Sequence, residues 1–351
     1  MDITQIDPNM KFDSTIDKTG LVFKHMEDEP FKIYGIAKQD DDYVRIPKEV
    51  AEATNEGVQR LNYNTAGGRV RFTTDSARIA IIAHYKDVYR APHMPLTGAA
   101  GIDIYADDIY VNTFVPPYPL ESNAYEAVRP LPAGEKVITL NLPLYSSLDM
   151  LYIGVDEGAS ITEAPDYAYD LPVVYYGSSI TQGGCASRPG MTYEAILSRH
   201  LNCDHINLGF SGSARGEEAI VEYIASMEMS VFVCDYDYNA PTPEHLAATH
   251  EPLFKAVRAA NPDLPVIFVS RPAFLSSPER DARFAIIKRT YDNARFAGDR
   301  NVYLVHGGEI LNEIENDGTV DNCHPTDLGF YFMAEGIEDT LDRALRSTRK
   351  K

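Results

Sequence analysis

Ser179, Gly212, Asn239, Asp321 and His324 are residues whose types and placement suit acyl transfer. Ser179 lies in Tyr176-Gly177-Ser178-Ser179-Ile180-Thr181-Gln182-Gly183, directly after an apolar run and flanked by glycines. A serine hydroxyl is a weak nucleophile and needs a base within hydrogen-bond reach. His324 suits that need, because a neutral imidazole titrates near neutral pH, about 6 to 7. Asp321 stands three residues earlier in Asp321-Asn322-Cys323-His324-Pro325 and can hold the second ring nitrogen, which completes a Ser-His-Asp relay. Acyl transfer also needs donors aimed at a developing oxyanion. The backbone N–H groups of Ser179 and Gly212 and the side-chain amide of Asn239 would provide three. Glycine at 212 leaves room for an ester to approach closely.

Each of these residues alone has an ordinary reading. Gly177-Ser178-Ser179 could be a strand-to-helix turn, Gly212 a turn glycine, and Asn239 a turn residue ahead of Pro241. Asp321 to His324 could be a loop before a helix capped by Thr326 or Asp327. What sets them apart is the order of elements around them. After about Pro165 short apolar runs alternate with helical stretches. Strands are expected at Val173 to Tyr176, His205 to Leu208, Val231 to Cys234, Val266 to Val269 and Val302 to Val305. Helices are expected at Met191 to Leu201, Glu217 to Met227, Pro243 to Ala260, Pro278 to Ala297 and Leu328 to Leu345. Such alternation means a parallel sheet covered by helices, with functional loops at the C-terminal ends of the strands. Ser179, Gly212 and Asn239 follow the first three strands, and Asp321 and His324 precede the last helix. All five therefore fall at one edge of one sheet.

From about Lys32 to Ile161 the period is that of strands, with Asn, Asp, Gly and Pro between the runs. Val70 to Tyr85, Gly101 to Phe114, Lys136 to Leu142 and Leu151 to Val155 are such runs, and a short helix is possible near Pro47 to Glu56. This spacing predicts a β-sandwich. The expected domains are 1–165 and 166–351, joined by a linker at Glu157 to Leu171 that is short and not rich in Gly and Ser. The 351 residues have room for two domains of roughly 150 to 200 each.

Composition narrows the partners. The formal charge of −20 disfavours nucleic acid and anionic membrane surfaces and suits a neutral small molecule. No apolar run approaches a bilayer span. Met1 to Asp17 carries acids and amides, unlike a signal peptide. Cys185, Cys203, Cys234 and Cys323 are widely spaced without a CxxC pair, so free thiols in a cytoplasmic protein are expected. A chain trimmed of a secretory signal would look the same. Cys323 beside His324 and Asp321 raises the question of zinc, but no second cluster has ligand spacing, so neither metal nor cofactor is expected. Cys185 and Cys323 read as small buried residues rather than nucleophiles. The number and placement of tyrosines would suit a sugar platform or plain packing.

The five residues in their order resemble the SGNH, or GDSL-type, hydrolase superfamily. Ser179, Gly212 and Asn239 match the first three blocks of that family, and Asp321 with His324 matches its last, D-x-x-H. Ser178 stands where the family has Asp, and Asn239 is followed by Ala240 rather than Asp. Upstream, Gly101-Ile102-Asp103-Ile104-Tyr105 is similar to the GxDLY motif of a bacterial group with a jelly-roll-like sandwich ahead of the hydrolase domain, with Ile104 in place of Leu. The resemblance implies a flavodoxin-like five-stranded sheet and a carboxylic ester hydrolase needing no cofactor. The expected substrate is a small acyl ester, an O-acetylated sugar above all. A lipase-like or thioesterase activity on longer chains and a non-catalytic carbohydrate-binding protein are the alternatives. A homo-oligomer is left open. Asp103 is expected to be a structural hydrogen-bonding residue, and the stretch from Tyr105 to Tyr118 to help wall the substrate cleft.

Overall fold

Apolar residues alternate with polar ones at period two along Arg69–Thr74 and Ile102–Ala106, so each strand can bury one face. The computed structural model describes residues 15–118, 120, 123–272 and 277–348; most of the N-terminal stretch judged unlike a signal peptide lies outside them. The chain forms two units. One comprises 1–43, 63–166 and 187–190, the other 44–62, 167–186 and 191–351.

The first unit holds two antiparallel sheets. One orders its strands Leu21–His25, Ser147–Asp156, Arg78–Asp87, Ala124–Pro130. The other runs Ile161–Thr162, Arg69–Thr74, Lys136–Asn141, Ile102–Ala106, Ile109–Phe114, with Lys32–Tyr34 also on Arg69–Thr74. Val70, Phe72, Ile104, Ile138 and Leu140 of one sheet share a fully buried core with Ile79, Ile81, Leu151 and Ile153 of the other. This is the expected sandwich. Two runs that read as single strands are each two. Asp75 to Ala77 separates the first pair, and Asp107 and Asp108 turn the second. Both of the latter have positive φ, 50° and 63°, as a tight hairpin turn requires.

The GxDLY-like motif has a definite role in this unit. Asp103 is fully buried. It accepts hydrogen bonds from Asn141 Nδ2 at 2.7 Å, Gly190 N–H at 2.7 Å and an Arg188 guanidinium nitrogen at 3.0 Å. Arg188 lies over the Tyr110 ring, 3.8 Å from its centroid, and also donates to the Tyr105 hydroxyl. The motif thus grips the strap Ser187–Gly190, which the linear division had placed in the other domain.

The second unit is a five-stranded sheet in which every pair is parallel. Its strands are Val173–Gly177, His205–Gly209, Val231–Asp235, Val266–Val269 and Val302–Val305, in spatial order second-first-third-fourth-fifth. That is the flavodoxin-like order. Helices Tyr193–Leu201, Glu218–Ser226, Pro243–Ala260, Pro278–Phe296 and Asp327–Thr348 alternate with the strands and close the chain. Among the described residues no helix is long and apolar enough to cross a membrane.

The domain boundary expected at residue 165 needs one more correction. Residues 44–62 belong to the second unit. This segment, with its helices Lys48–Thr54 and Glu56–Leu61, buries Ile46, Ala51, Val58 and Leu61 in the same core as Leu208, Phe210 and Ile220. Arg45, 5% exposed, donates to the carbonyls of Asn207, Gly209 and Leu61. A buried guanidinium needs such acceptors, and these are supplied by the edge strand of the parallel sheet and by the second of the two helices.

Candidate active site

The strand order opens a crevice where successive crossovers leave in opposite directions, at the C-terminal ends of the first and third strands. Ser179 follows the first strand and opens the short helix Ser179–Gln182. Ser178, in the place of the family's Asp, caps that helix by accepting from Ile180 N–H at 3.1 Å; serine and aspartate both serve as such caps. The helix lies hard against the strands because two neighbours are glycine. A Cβ on Gly209 would strike the backbone of Thr181 and Gln182, and one on Gly177 would strike the Thr181 side chain and the Asp235 carbonyl.

Three residues form one hydrogen-bonded chain. Ser179 Oγ is 2.9 Å from His324 Nε2, and His324 Nδ1 is 2.8 Å from Asp321 Oδ2. The other Asp321 oxygen accepts from the backbone N–H groups of Cys323 and His324 at 3.1 and 2.8 Å. Asn322 takes a left-handed φ of 65°, which asparagine tolerates, and so the carboxylate folds back onto its own loop.

Gly212 and Asn239 come from neighbouring loops that are tied together. Asn239 Nδ2 donates to the Phe210 carbonyl at 2.8 Å, and that carbonyl also receives the N–H groups of Ser213 and Ala214. One amide hydrogen is thereby used and fixes the orientation of the other. Gly212 has φ +68°, and no atom lies within 4 Å of where its Cβ would be. The left-handed backbone alone calls for glycine there, and the open space beside it fits the room for an ester expected from the sequence.

The electrostatics favour a charged His-Asp pair. The His324 imidazole is raised to about 9. Its hydrogen bond with the Cys323 thiol contributes most, burial opposes it, and the Asp321 carboxylate adds to the rise. Burial works to raise the Asp321 carboxyl, yet the hydrogen bonds from His324 outweigh it and hold it below the usual range.

The residues behind the nucleophile carried no assignment in the sequence. Asp235, fully buried at the end of the third strand, accepts from Thr181 Oγ1 at 3.3 Å and Tyr193 OH at 3.2 Å. Burial, and then the charge of Asp237, push its carboxyl well up. Asn207 Nδ2 bonds the Thr181 carbonyl at 2.6 Å and buried Glu194 at 2.9 Å. Gln182 accepts from Ser211 N–H at 2.9 Å, and Asn55 donates to the Ser213 carbonyl at 3.0 Å. These contacts brace the nucleophile helix and the Gly212 loop. An acid closing a fully apolar strand was a legible signal for Asp235; Asn55 lies 158 residues from its partner and left none.

Residues 170–342 match the GDSL-like lipase/acylhydrolase family, and residues 21–161 match GxDLY, the N-terminus of SGNH-hydrolase-type esterases. No curated protein matches the chain by sequence. Among solved structures, one assigned as a GDSL-like lipase from Bacteroides ovatus ATCC 8483 is 27% identical with a TM-score of 0.83, covering 93% of this chain and 98% of that one. A salicylyl-acyltransferase from a tetracycline biosynthetic pathway is 20% identical with a TM-score of 0.75 over the same shares. An acetyl xylan esterase from Butyrivibrio proteoclasticus is 14% identical with a TM-score of 0.61, covering 94% of this chain and all of that one.

Proposed function

The chain belongs to the GDSL-like lipase/acylhydrolase family, with a GxDLY domain ahead of the hydrolase domain, and on that premise we propose that it removes small acyl groups, acetyl above all, from carbohydrates. The observation that carries this reading is the hydrogen-bonded chain from Ser179 through His324 to Asp321. Ser179 Oγ attacks the ester carbonyl while His324 Nε2 takes its proton. Asp321 stabilises the imidazolium. The oxyanion is held by the N–H groups of Ser179 and Gly212 and the second amide hydrogen of Asn239. Collapse releases the sugar hydroxyl, which regains its proton from His324 and leaves acetyl-Ser179. Water, deprotonated by His324, attacks that ester and releases acetate.

The choice of sugar acetate draws support from two sides. The charge of −20 suits a neutral substrate better than an anionic one. The acetyl xylan esterase that shares this fold acts, by its name, on such a compound.

Hydrolysis of p-nitrophenyl esters of increasing chain length, beside acetate release from acetylated xylo-oligosaccharides, tests the reading. Acetyl should be the fastest acyl group, and the oligosaccharides should lose acetate. Ser179→Ala should abolish both reactions and leave the fold intact, whereas Ser178→Ala should keep most activity. Asn239→Ala should cost about 10²- to 10³-fold in kcat, the usual loss for one oxyanion donor. A preference for long chains would point to a lipase or thioesterase instead. No turnover of any ester would leave a carbohydrate-binding protein.

A further inference from the structure

One cation at the catalytic edge of the parallel sheet takes no part in the acyl-transfer chemistry. Arg271 follows the fourth strand, Val266–Val269, by two residues, so it stands at the C-terminal end where the functional loops gather. Its guanidinium lies over the Tyr238 ring, 4.2 Å from the centroid. Tyr238 in turn adjoins the histidine loop: burial first, and then the Cys323 sulfur, push its hydroxyl up. The same sulfur bears on the His324 ring. A continuous path thus leads from the histidine base through Cys323 and Tyr238 to Arg271.

The guanidinium is fixed in place but unpaired. The Arg271 backbone N–H donates to Asp237 Oδ2 at 3.2 Å. Gly307, just past the fifth strand, packs so closely on the Arg271 carbonyl that a Cβ there would collide with it. The backbone is therefore held from two sides, and stacking on the tyrosine sets the plane of the side chain. Yet Nε is buried without a hydrogen-bond partner, and among the described residues no carboxylate forms an ion pair with this guanidinium. Asp237 does not serve, because its carboxylate is engaged by the backbone, and burial pushes it up to about 6 against the pull of Arg271 and Arg283. The chain has 52 acidic residues against 32 basic ones. A partly buried arginine left without any of those acids is an open site for an anion.

We propose that Arg271 is a specificity-determining residue that binds a carboxylate on the alcohol portion of the ester, so that the acetylated sugar turned over is an acidic one. His324 hands its proton to the leaving oxygen. The departing alcohol therefore extends over the imidazole and its loop, the side on which Tyr238 and Arg271 stand. A guanidinium offers a carboxylate two parallel N–H donors, a geometry that fixes orientation as well as charge. The formal charge of −20 repels anions at long range, but salt screens that field within about 8 to 10 Å, and a pair made at contact outlasts it. A saccharide that is neutral over most of its length and carries one carboxylate meets both conditions. The effect on turnover rests on the sugar-ester reading; the binding of a carboxylate does not.

Two measurements on the full chain separate these claims. The first compares kcat/KM for monoacetates of methyl glucuronoside with that for the matching monoacetates of methyl glucoside, which carry a hydroxymethyl group in place of the carboxylate. The wild-type chain should favour the acid. Arg271→Gln should lower that ratio about 10- to 100-fold, the worth of hydrogen bonds to a charged group, chiefly through KM. Arg271→Lys should restore part of it, since lysine keeps the charge and loses the fork. A merely structural arginine would depress both substrates alike and leave the ratio where it was. The second measurement follows the binding of glucuronate and of glucose by calorimetry, with no ester present. Glucuronate should bind more tightly than glucose, and Arg271→Gln should erase the difference. An unmoved ratio in Arg271→Gln, or equal binding of the two sugars by the wild-type chain, would overturn the proposal. Binding of glucuronate that depends on Arg271, in a chain that hydrolyses no ester, would keep the carboxylate site and sink the esterase reading.

Discussion

His324 is flanked by two groups that raise its proton affinity, the Cys323 thiol first and the Asp321 carboxylate after it. Only the neutral ring can take a proton from Ser179. Activity should therefore rise with pH, with a midpoint displaced above the ordinary histidine range, toward about 9, rather than at the 6 to 7 expected from residue type. Replacing Cys323 with Ala, or Asp321 with Asn, removes a group that stabilises the imidazolium. Each change should move the rising limb of kcat/KM to lower pH, with Asp321→Asn also losing rate because the ring is no longer held. A pH–rate profile checks this, and a midpoint that stays put in both variants would contradict it. The types and order of Ser179, Asp321 and His324 were legible because each chemical task admits few side chains. The closeness of Cys185 to the imidazole was not, since 139 positions separate them in the chain.

At the scale of elements, the short motif around Asp103 ties one strand of the sandwich unit to the Ser187–Gly190 strap. Asp103 sits where its two oxygens collect three donors, and Arg188 is its charged partner. Asp103 is fully buried and Arg188 is largely so. Removing one member of such a pair leaves an uncompensated charge and typically costs about 3 to 5 kcal/mol. Arg188→Ala should therefore lower the melting temperature by roughly 10 °C, read by circular dichroism. Arg188→Lys should recover only part, because lysine supplies charge without the flat group that stacks on Tyr110. An unchanged melting curve for Arg188→Ala would show that Asp103 finds its partners elsewhere. The apolar rhythm located the strand that carries Asp103. Its partner strap could not be found that way, because Ser187–Gly190 follows the nucleophile helix and has no periodicity of its own.

For the whole molecule the main consequence is that neither unit is continuous in the chain. A fragment starting at residue 166 contains the five parallel strands and all five site residues, yet it lacks Arg45, Ile46, Val58 and Leu61. Fully burying an aliphatic side chain is worth about 1.5 to 3 kcal/mol, so the three apolar residues together account for roughly 5 to 9. A typical domain has about 5 to 15 kcal/mol in total. Residues 166–351 expressed alone should be poorly soluble, with no cooperative melt and little esterase activity. A soluble, cooperatively folding fragment that is fully active on p-nitrophenyl acetate would show that 44–62 is dispensable.

The sequence alone determined what depends on local order. Period two and strand–helix alternation told the sandwich from the parallel sheet, and the loops after successive parallel strands must share an edge. That places Ser179, Gly212 and Asn239 together without any coordinates. Only the tertiary structure decided what depends on contacts between distant segments. Arg45 holds the edge strand of the parallel sheet, Asn55 props the Gly212 loop, Asp235 backs the nucleophile helix, Arg188 fills the socket at Asp103, and Cys185 stands beside His324. Such side chains are placed by the packing of whole elements, and packing between residues far apart in the chain leaves no periodic mark on either segment.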